Sequence, residues 1–462
     1  MSTFGPLRHP AFRLLLTGRT ISALGNAFAP IALAFAVLDL TGSAADLGLV
    51  VGARTLVNVL FLLFGGVLAD RLPRHLLMVG SGVAAAATQG VVATLVLTNN
   101  ANIPTLIALS AVNGMVSALS MPASAALLPQ TVPVDERQQA NALARLLLNA
   151  AAIIGAPAGG IAVAVLGPGW GIAVDAVTFA LSAFCFSLVR VSAAQPSASE
   201  PAQPPVPRPA DSPPAQPSSQ ATADSPAETA EGLIGGEQTA GTPAGEGRPS
   251  IFADLRTGWT EFISRTWLWV VVAGFCVLNA AWSGALTVLG PVVADQTFGR
   301  QAWGFVLAAE TAGMIVGGLI AMRIRVHRLL FLGTAATVLE VLPVVSLGVF
   351  PHVGLLVVAG FVAGVGLEQF GVAWETTMQE HVPADKLARV YSYDMVGSFV
   401  AIPVGQVIAG PVAQAAGVEP TLLGAAVLML LAVLGMLSSR DVRQLRHRLP
   451  SRDKAPMEEL AA

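Results

Sequence analysis

Nine charged residues stand inside long apolar stretches of this chain: Arg19, Arg54, Arg145, Asp175, Glu310, Glu340, Glu368, Glu375 and Asp394. An ionised side chain in hydrocarbon costs about 2.5 kcal/mol or more, so each needs a partner, water or a task. The chemistry open to such groups is ion pairing and proton exchange. Bond-making catalysis is not expected. The sequence has no phosphate-binding glycine loop, no His/Cys metal spacing and no nucleophile–base arrangement. It implies no enzyme, no cofactor, no metal and no ATP-driven machine.

The nine differ in depth. Arg145, Glu375 and Asp394 fall near span ends, where they can snorkel toward water. Asp175 is expected near the outer end of its span, solvated at the interface. Arg19, Arg54, Glu310 and Glu368 lie deeper, and Glu340 is mid-span. Glu368 is the first candidate for a proton-coupling acid, because a carboxyl group held away from water can exchange protons near neutrality. Glu340 and Glu310 stand behind it. Arg54 and Glu310 each fall about eight residues inside the outer end of a span, roughly 12 Å deep. Ala53-Arg54-Thr55 and Ala309-Glu310-Thr311 match apart from the charge. The pattern predicts one of two arrangements: a pair across a central cavity that acts as an outer gate, or pairing of each charge with polar groups in its own half.

Polar residues fall on single helix faces. Arg19, Ser22 and Asn26 form one stripe, Asn113, Ser117 and Ser120 a second, Asn279, Trp282 and Ser283 a third. Gly364, Glu368, Gly371 and Glu375 share a fourth. Such stripes predict a polar-lined cavity for amphipathic small organic molecules, cationic ones included.

These residues are carried by apolar spans. The chain has 462 residues, 54% apolar and 11% charged, with a mean hydropathy of +0.68. A soluble protein would carry about a quarter charged residues. Twelve stretches are long enough to span: 12–38, 46–69, 77–98, 104–127, 139–166, 170–190, 267–294, 302–322, 328–350, 353–377, 389–415 and 419–438. The expected class is an all-α membrane protein in two six-helix bundles, 1–191 and 251–439. Between them, 192–250 is rich in Pro, Ala, Ser, Gly and Thr, the composition of a disordered linker. Ile251 to Arg265 is amphipathic and predicts an interfacial helix. A basic tail occupies 440–462. Cys185 and Cys276 fall in apolar runs and read as small hydrophobes. Basic residues cluster in the loops on one side, and the other side holds only Arg300, which puts both termini and the linker in the cytoplasm. The bilayer is the expected surround, with no nucleic acid and a monomer as the default.

The halves repeat. Val132-Pro133-Val134-Asp135 returns as Val382-Pro383-Ala384-Asp385, and Gly155, Gly160 and Gly167 return as Gly405, Gly410 and Gly417, each 250 residues on. Two repeated six-helix halves mark a secondary transporter.

The loop Gly66-x-x-x-Asp70-Arg71-x-x-Arg74 carries a charged turn between two spans. It resembles the signature loop of the major facilitator superfamily. Phe12-Arg13-Leu14-Leu15-Leu16-Thr17-Gly18, Met121-Pro122-Ala123 and Ala140-Asn141-Ala142 are similar to the bacterial drug-efflux branch, which includes macrolide and enterobactin-type exporters. Gly155-Ala156-Pro157-Ala158-Gly159-Gly160 resembles that branch's antiporter motif, with its Gly–Pro pair split by Ala156. Asn26 stands where many relatives carry a titratable Asp. The resemblance implies a bacterial cytoplasmic-membrane exporter of small organic molecules working by proton antiport and alternating access. An importer or an uncoupled facilitator is the alternative. It further implies that the first, fourth, seventh and tenth helices line the cavity. In it, Asp70 steadies the outward-open state against the start of the eleventh helix, with Arg71 and Arg74 latching nearby acids.

Overall fold

The computed structural model describes residues 5–71, 74–189, 259–324 and 326–447. The expected linker and the end of the basic tail lie outside them, as do the side chains of Gly66, Asp70, Arg71 and Arg74, so the switch-loop contacts are outside the described part. Among the described residues twelve helices are long and apolar enough to cross a membrane, on the stretches expected from hydropathy. In the N-terminal half these are α1 (Pro10–Thr41), α2 (Ala44–Arg71), α3 (Arg74–Leu97), α4 (Ile103–Leu127), α5 (Arg137–Leu166) and α6 (Pro168–Ser187). In the C-terminal half they are α7 (Thr266–Gln296), α8 (Arg300–Ala321), α9 (Leu329–Val349) and α10 (Val353–His381). Then come α11 (Ala384–Phe399 continued by Ile402–Ala416) and α12 (Val418–Ser438).

Local chemistry sets the boundaries. Pro10, Pro104 and Pro168 sit in first turns, where the missing N–H costs no helical bond. Asn102 caps α4 by accepting from the Thr105 N–H at 3.0 Å. Gly167 and Gly417, at φ 88° and 95°, make the turns from α5 to α6 and from α11 to α12. A side chain there would be strained, so the repeat seen in the sequence places the same left-handed corner in each half. Proline also explains the irregular stretches. Pro291, Pro343 and Pro403 cannot donate back along their helices. The preceding turns become π-helical at Ser283–Leu289, 3₁₀ at Thr337–Glu340 and broken at Val400–Ala401.

Each half packs on itself through α1, α5 and α6 or their C-terminal counterparts, and the halves meet chiefly where α2 lies on α11 and α5 on α8. The face holding the start of α1 and the end of α12 is called the terminal face here, the opposite one the far face. α2 makes its cross-half contact with the Ile402–Ala416 segment of α11, at the far face. Large apolar side chains such as Phe184, Val358 and Leu434 are exposed on the outside of the bundle, where a bilayer covers them.

Of the amphipathic stretch before α7, residues 259–263 are described and helical. Trp259 and Phe262 pack on Tyr393 of α11 with ring centroids 5.5 and 5.9 Å away. Glu261 accepts from Lys386 Nζ at 2.9 Å and from Arg265, whose guanidinium also donates to the His381 carbonyl. The Lys386 hydrogen bond first, and Arg265 next, hold the Glu261 carboxyl below the usual carboxylate range. That stabilisation is in place above the ordinary value of about 4.3 and is lost as pH falls through the lowered one. Lys386→Gln is therefore expected to lower thermal stability at pH 8 by up to about 1 kcal/mol, and the difference from wild type is expected to shrink as pH falls below the ordinary carboxylate value. Melting temperature against pH checks this, and superimposable curves would contradict it.

Candidate functional site

The seam between the halves follows the repeat. A Cβ on Gly48 of α2 would overlap the Gln406 carbonyl of α11. Gly304 of α8 stands 256 residues after Gly48, and its Cβ would overlap the carbonyl of Ala156, 250 residues before Gln406. Likewise Gly410 lies against the Ala44 carbonyl and Gly160 against those of Arg300 and Gln301, at 3.0 Å. Four backbone-on-backbone contacts thus form two equivalent pairs, all at the far face. Only glycine allows helices so close. The antiporter-like strip has two sides. Gly155 and Gly159 press on Leu24, Ala27 and Phe28 of α1, while Ala156, Pro157 and Gly160 face α8 across the seam.

One ion pair locks the same face. Arg300, at the start of α8, binds both carboxylate oxygens of Asp39 at the end of α1, with the Nη1 contact at 2.9 Å. It also binds Asp295 at 2.7 Å and lies over the Phe35 ring at 4.8 Å. A planar bidentate fork of this kind fixes geometry as well as charge. Of the two arrangements expected for Arg54 and Glu310, the described residues show no pair across the seam. The far face is shut, yet no hydrogen bond or ion pair joins Arg54 to Glu310; the cross-half pair is Arg300 with Asp39. The nearest opposite charge to Arg54 is Asp175 in its own half, while the charged neighbour of Glu310 is another acid, Glu340, also in its own half. Across the seam Arg54 shares a cavity of about 150 Å³ with Trp282, Leu286 and Leu307.

Asp175 is corrected. It is not solvated but fully buried, seven residues inside α6. Gln89 of α3 donates to its Oδ2 at 2.6 Å, and its Oδ1 has no donor. Gly25 of α1 makes room for it, since a Cβ there would stand 2.5 Å from Oδ1. On α4, Asn113 is buried too, its Nδ2 3.5 Å from Oγ1 of Thr88, the residue before Gln89. The sequence signal for this group was present as an acid, a glutamine and an asparagine on three spans.

The polar stripes of α1 and α4 meet in a pocket of about 490 Å³ inside the N-terminal half. Arg19, Ser22, Asn26, Ser117 and Ser120 line it, with Met78, Phe179 and Phe186 among the apolar walls. Asn113 lies one turn beyond Ser117, behind the pocket wall. A larger cavity of about 700 Å³ between α7, α11 and α12 is apolar and uncharged, with Cys276, Gly284 and Gly405 on its walls. The C-terminal stripe does other work. Asn279 Nδ2 donates to the Ser398 carbonyl at 3.0 Å, tying α7 to α11, and Ser283 accepts from Gln406 at 2.8 Å. Asp394, expected to snorkel, accepts from Trp374 Nε1 at 2.9 Å and from Ser398 at 3.2 Å. Glu368 is half-buried against Gly317 and Gly318, with Arg145 of the other half as its electrostatic neighbour. Among the described residues the carboxyl groups buried from solvent are Asp175 and Glu340, and Glu340 Oε1 has no donor. Among the described residues no group of His, Cys, Asp and Glu is arranged to hold a metal ion.

Two repeated six-helix halves, a glycine seam closed at one face and a polar pocket inside the apolar spans define a membrane transporter. The sequence profile of the Major Facilitator Superfamily matches residues 15–405, and the chain belongs to that family. It is 24% identical over 442 residues to the multidrug efflux pump Tap of Mycolicibacterium fortuitum, covering 92% of this chain and 94% of that protein. Among solved structures it is similar to the nucleoside transporter NupG, with a TM-score of 0.65, 11% identity and coverage of 93% of this chain and 98% of that one. It is also similar to a bacterial homolog of the human lysosomal transporter Spinster in an inward-facing, unoccupied conformation. That match has a TM-score of 0.65 and 12% identity, over 96% of this chain and 99% of the other. At such identities these two show the fold alone.

Proposed function

We propose that the protein exports amphipathic small organic molecules from the bacterial cytoplasm in exchange for protons. The observation that carries this reading is the N-terminal pocket, a drug-sized space with apolar walls and one polar stripe. Kinship to a protein named as a multidrug efflux pump supports the direction. The excess of basic residues in the terminal-face loops supports placing that face in the cytoplasm, so the closed far face makes this the inward-facing state. The 192–250 segment then serves as a cytoplasmic tether between the bundles. Alternating access parts the glycine seam and brings α5 and α10 together at the terminal face, where Arg145 and Glu368 approach as an inner latch. Glu368 takes that role here in preference to proton carrier, because a cation of the opposite half faces it.

Everted membrane vesicles test the reading. With an acidic lumen, vesicles holding the protein are expected to accumulate amphipathic dyes, and a protonophore is expected to abolish the accumulation. Accumulation only by right-side-out vesicles would replace export with import. Equilibration insensitive to the protonophore would replace antiport with facilitation.

A further inference from the structure

The charge in the N-terminal pocket has no counter-ion. Arg19 lines the pocket half-buried, and among the described residues it makes neither an ion pair nor a hydrogen bond. The polar groups beside it are neutral: Ser22, Asn26, Ser117 and Ser120. Asp175 is not available to it. That carboxylate is closed off one helical turn beyond Phe179, takes its hydrogen bond from Gln89 and has Arg54 as its charged neighbour. The pocket therefore presents one net positive charge among hydroxyls and hydrocarbon.

A guanidinium offers donors in a planar fork that matches a carboxylate, sulfonate or phosphate group. Away from bulk water its charge is poorly screened, so an entering anion gains and an entering cation is repelled. The serines and Asn26 supply further donors along the same wall. Met78, Phe179 and Phe186, also lining the pocket, offer an apolar surface for a ring or chain. We propose that this pocket binds amphipathic organic anions, with the anionic group forked on Arg19 and the apolar body against the two phenylalanines. This specifies the substrate class within the export reading and reverses the expectation of cationic ligands. It rests on that reading only for its physiological meaning, because binding to the resting protein does not depend on direction or on protons.

The test uses three probes that share one apolar body: pyrenebutyrate, pyrenebutyramide and pyrenebutylamine. Equilibrium binding to the full-length protein in nanodiscs is measured, with empty nanodiscs subtracted. The anion is expected to bind at least about tenfold more tightly than the amide, and the amine more weakly than either. Arg19→Gln is expected to erase the anion's advantage while amide affinity stays within about twofold. Arg19→Lys is expected to keep part of the advantage, because it keeps the charge and loses the fork. Retained amide binding shows that the variant is folded. Should Arg19→Gln not fold, the wild-type order of the three probes and Arg19→Lys decide. Equal binding of anion and amine by the wild type would overturn the proposal, as would an anion preference that survives in Arg19→Gln. Vesicles that fail to export would sink the export reading and leave this binding result standing.

Discussion

Asp175→Leu is expected to destabilise the N-terminal half by about 3 kcal/mol, the largest loss among single changes in the polar interior. Leucine is larger and apolar, and it removes the acceptor for the Gln89 amide donor in a site with no exposed surface. It also removes the negative charge opposite Arg54. Asp175→Asn separates the two effects. It keeps an acceptor for Gln89 and is expected to cost less than half as much. Asp175→Leu combined with Arg54→Met takes away both charges, and the pair should recover part of the single-mutant loss, since residues acting on one another are not additive. Thermal unfolding of the purified protein in detergent reads all three. An Asp175→Leu variant as stable as wild type would show that the buried cluster does not brace α1, α2, α3 and α6.

Gly48→Leu and Gly304→Leu are expected to hold the far face open. Each side chain would drive into a backbone carbonyl of the other half, Gln406 or Ala156, and backbone cannot swing aside as a flexible side chain does. Overpacking of this kind costs about 1–3 kcal/mol. The cost falls on the far-closed state alone, so that state's population should drop by roughly 5- to 150-fold relative to the far-open one. Transport should fall by at least about tenfold while each half stays folded, because the contact is between halves. Gly424→Ala is the control, since its Cβ would meet nothing within 4 Å. Reaction of an Ala44→Cys reporter, buried beside Gly410 while the seam is closed, with a membrane-impermeant maleimide follows far-face opening. Labelling and transport equal to wild type would contradict the seam.

The spans were legible because twenty apolar residues at a fixed rise leave few alternatives. The paired glycines were legible as a repeat, but which backbone each one touches is a three-dimensional fact. Arg300 stood out as the only base on its side of the chain; its partner Asp39 lies 261 residues away and carries no pattern of its own. Arg54 and Glu310 show where sequence symmetry misleads. They are true equivalents, as the carbonyls packed under Gly114 and Gly364 prove. Both positions lie where their helices pack on their own bundle, Arg54 against Gly114 of α4 and Glu310 against Gly364 of α10, and no ion pair joins them across the seam. Asp175 was misplaced for a different reason. Depth along a helix can be counted, but burial depends on which face turns inward, and the low amphipathicity of a buried membrane helix hides that. The stripe on α1 and α4 was readable at helical spacing and does line one pocket, whereas Asn279 on α7 serves as a tie between helices.

Alternation of access is tested most directly by the distance between nitroxide labels at Leu40 and Gln296. Both positions are exposed at the far face on opposite halves, next to the Asp39 and Asp295 carboxylates that hold Arg300. In nanodiscs without substrate, pulsed electron resonance should give a single short distance, matching the closed seam. Acidification, or Gly304→Leu, should add a second, longer population as the seam parts. A single short distance under every condition, in protein that still transports, would contradict the rocking of one half against the other.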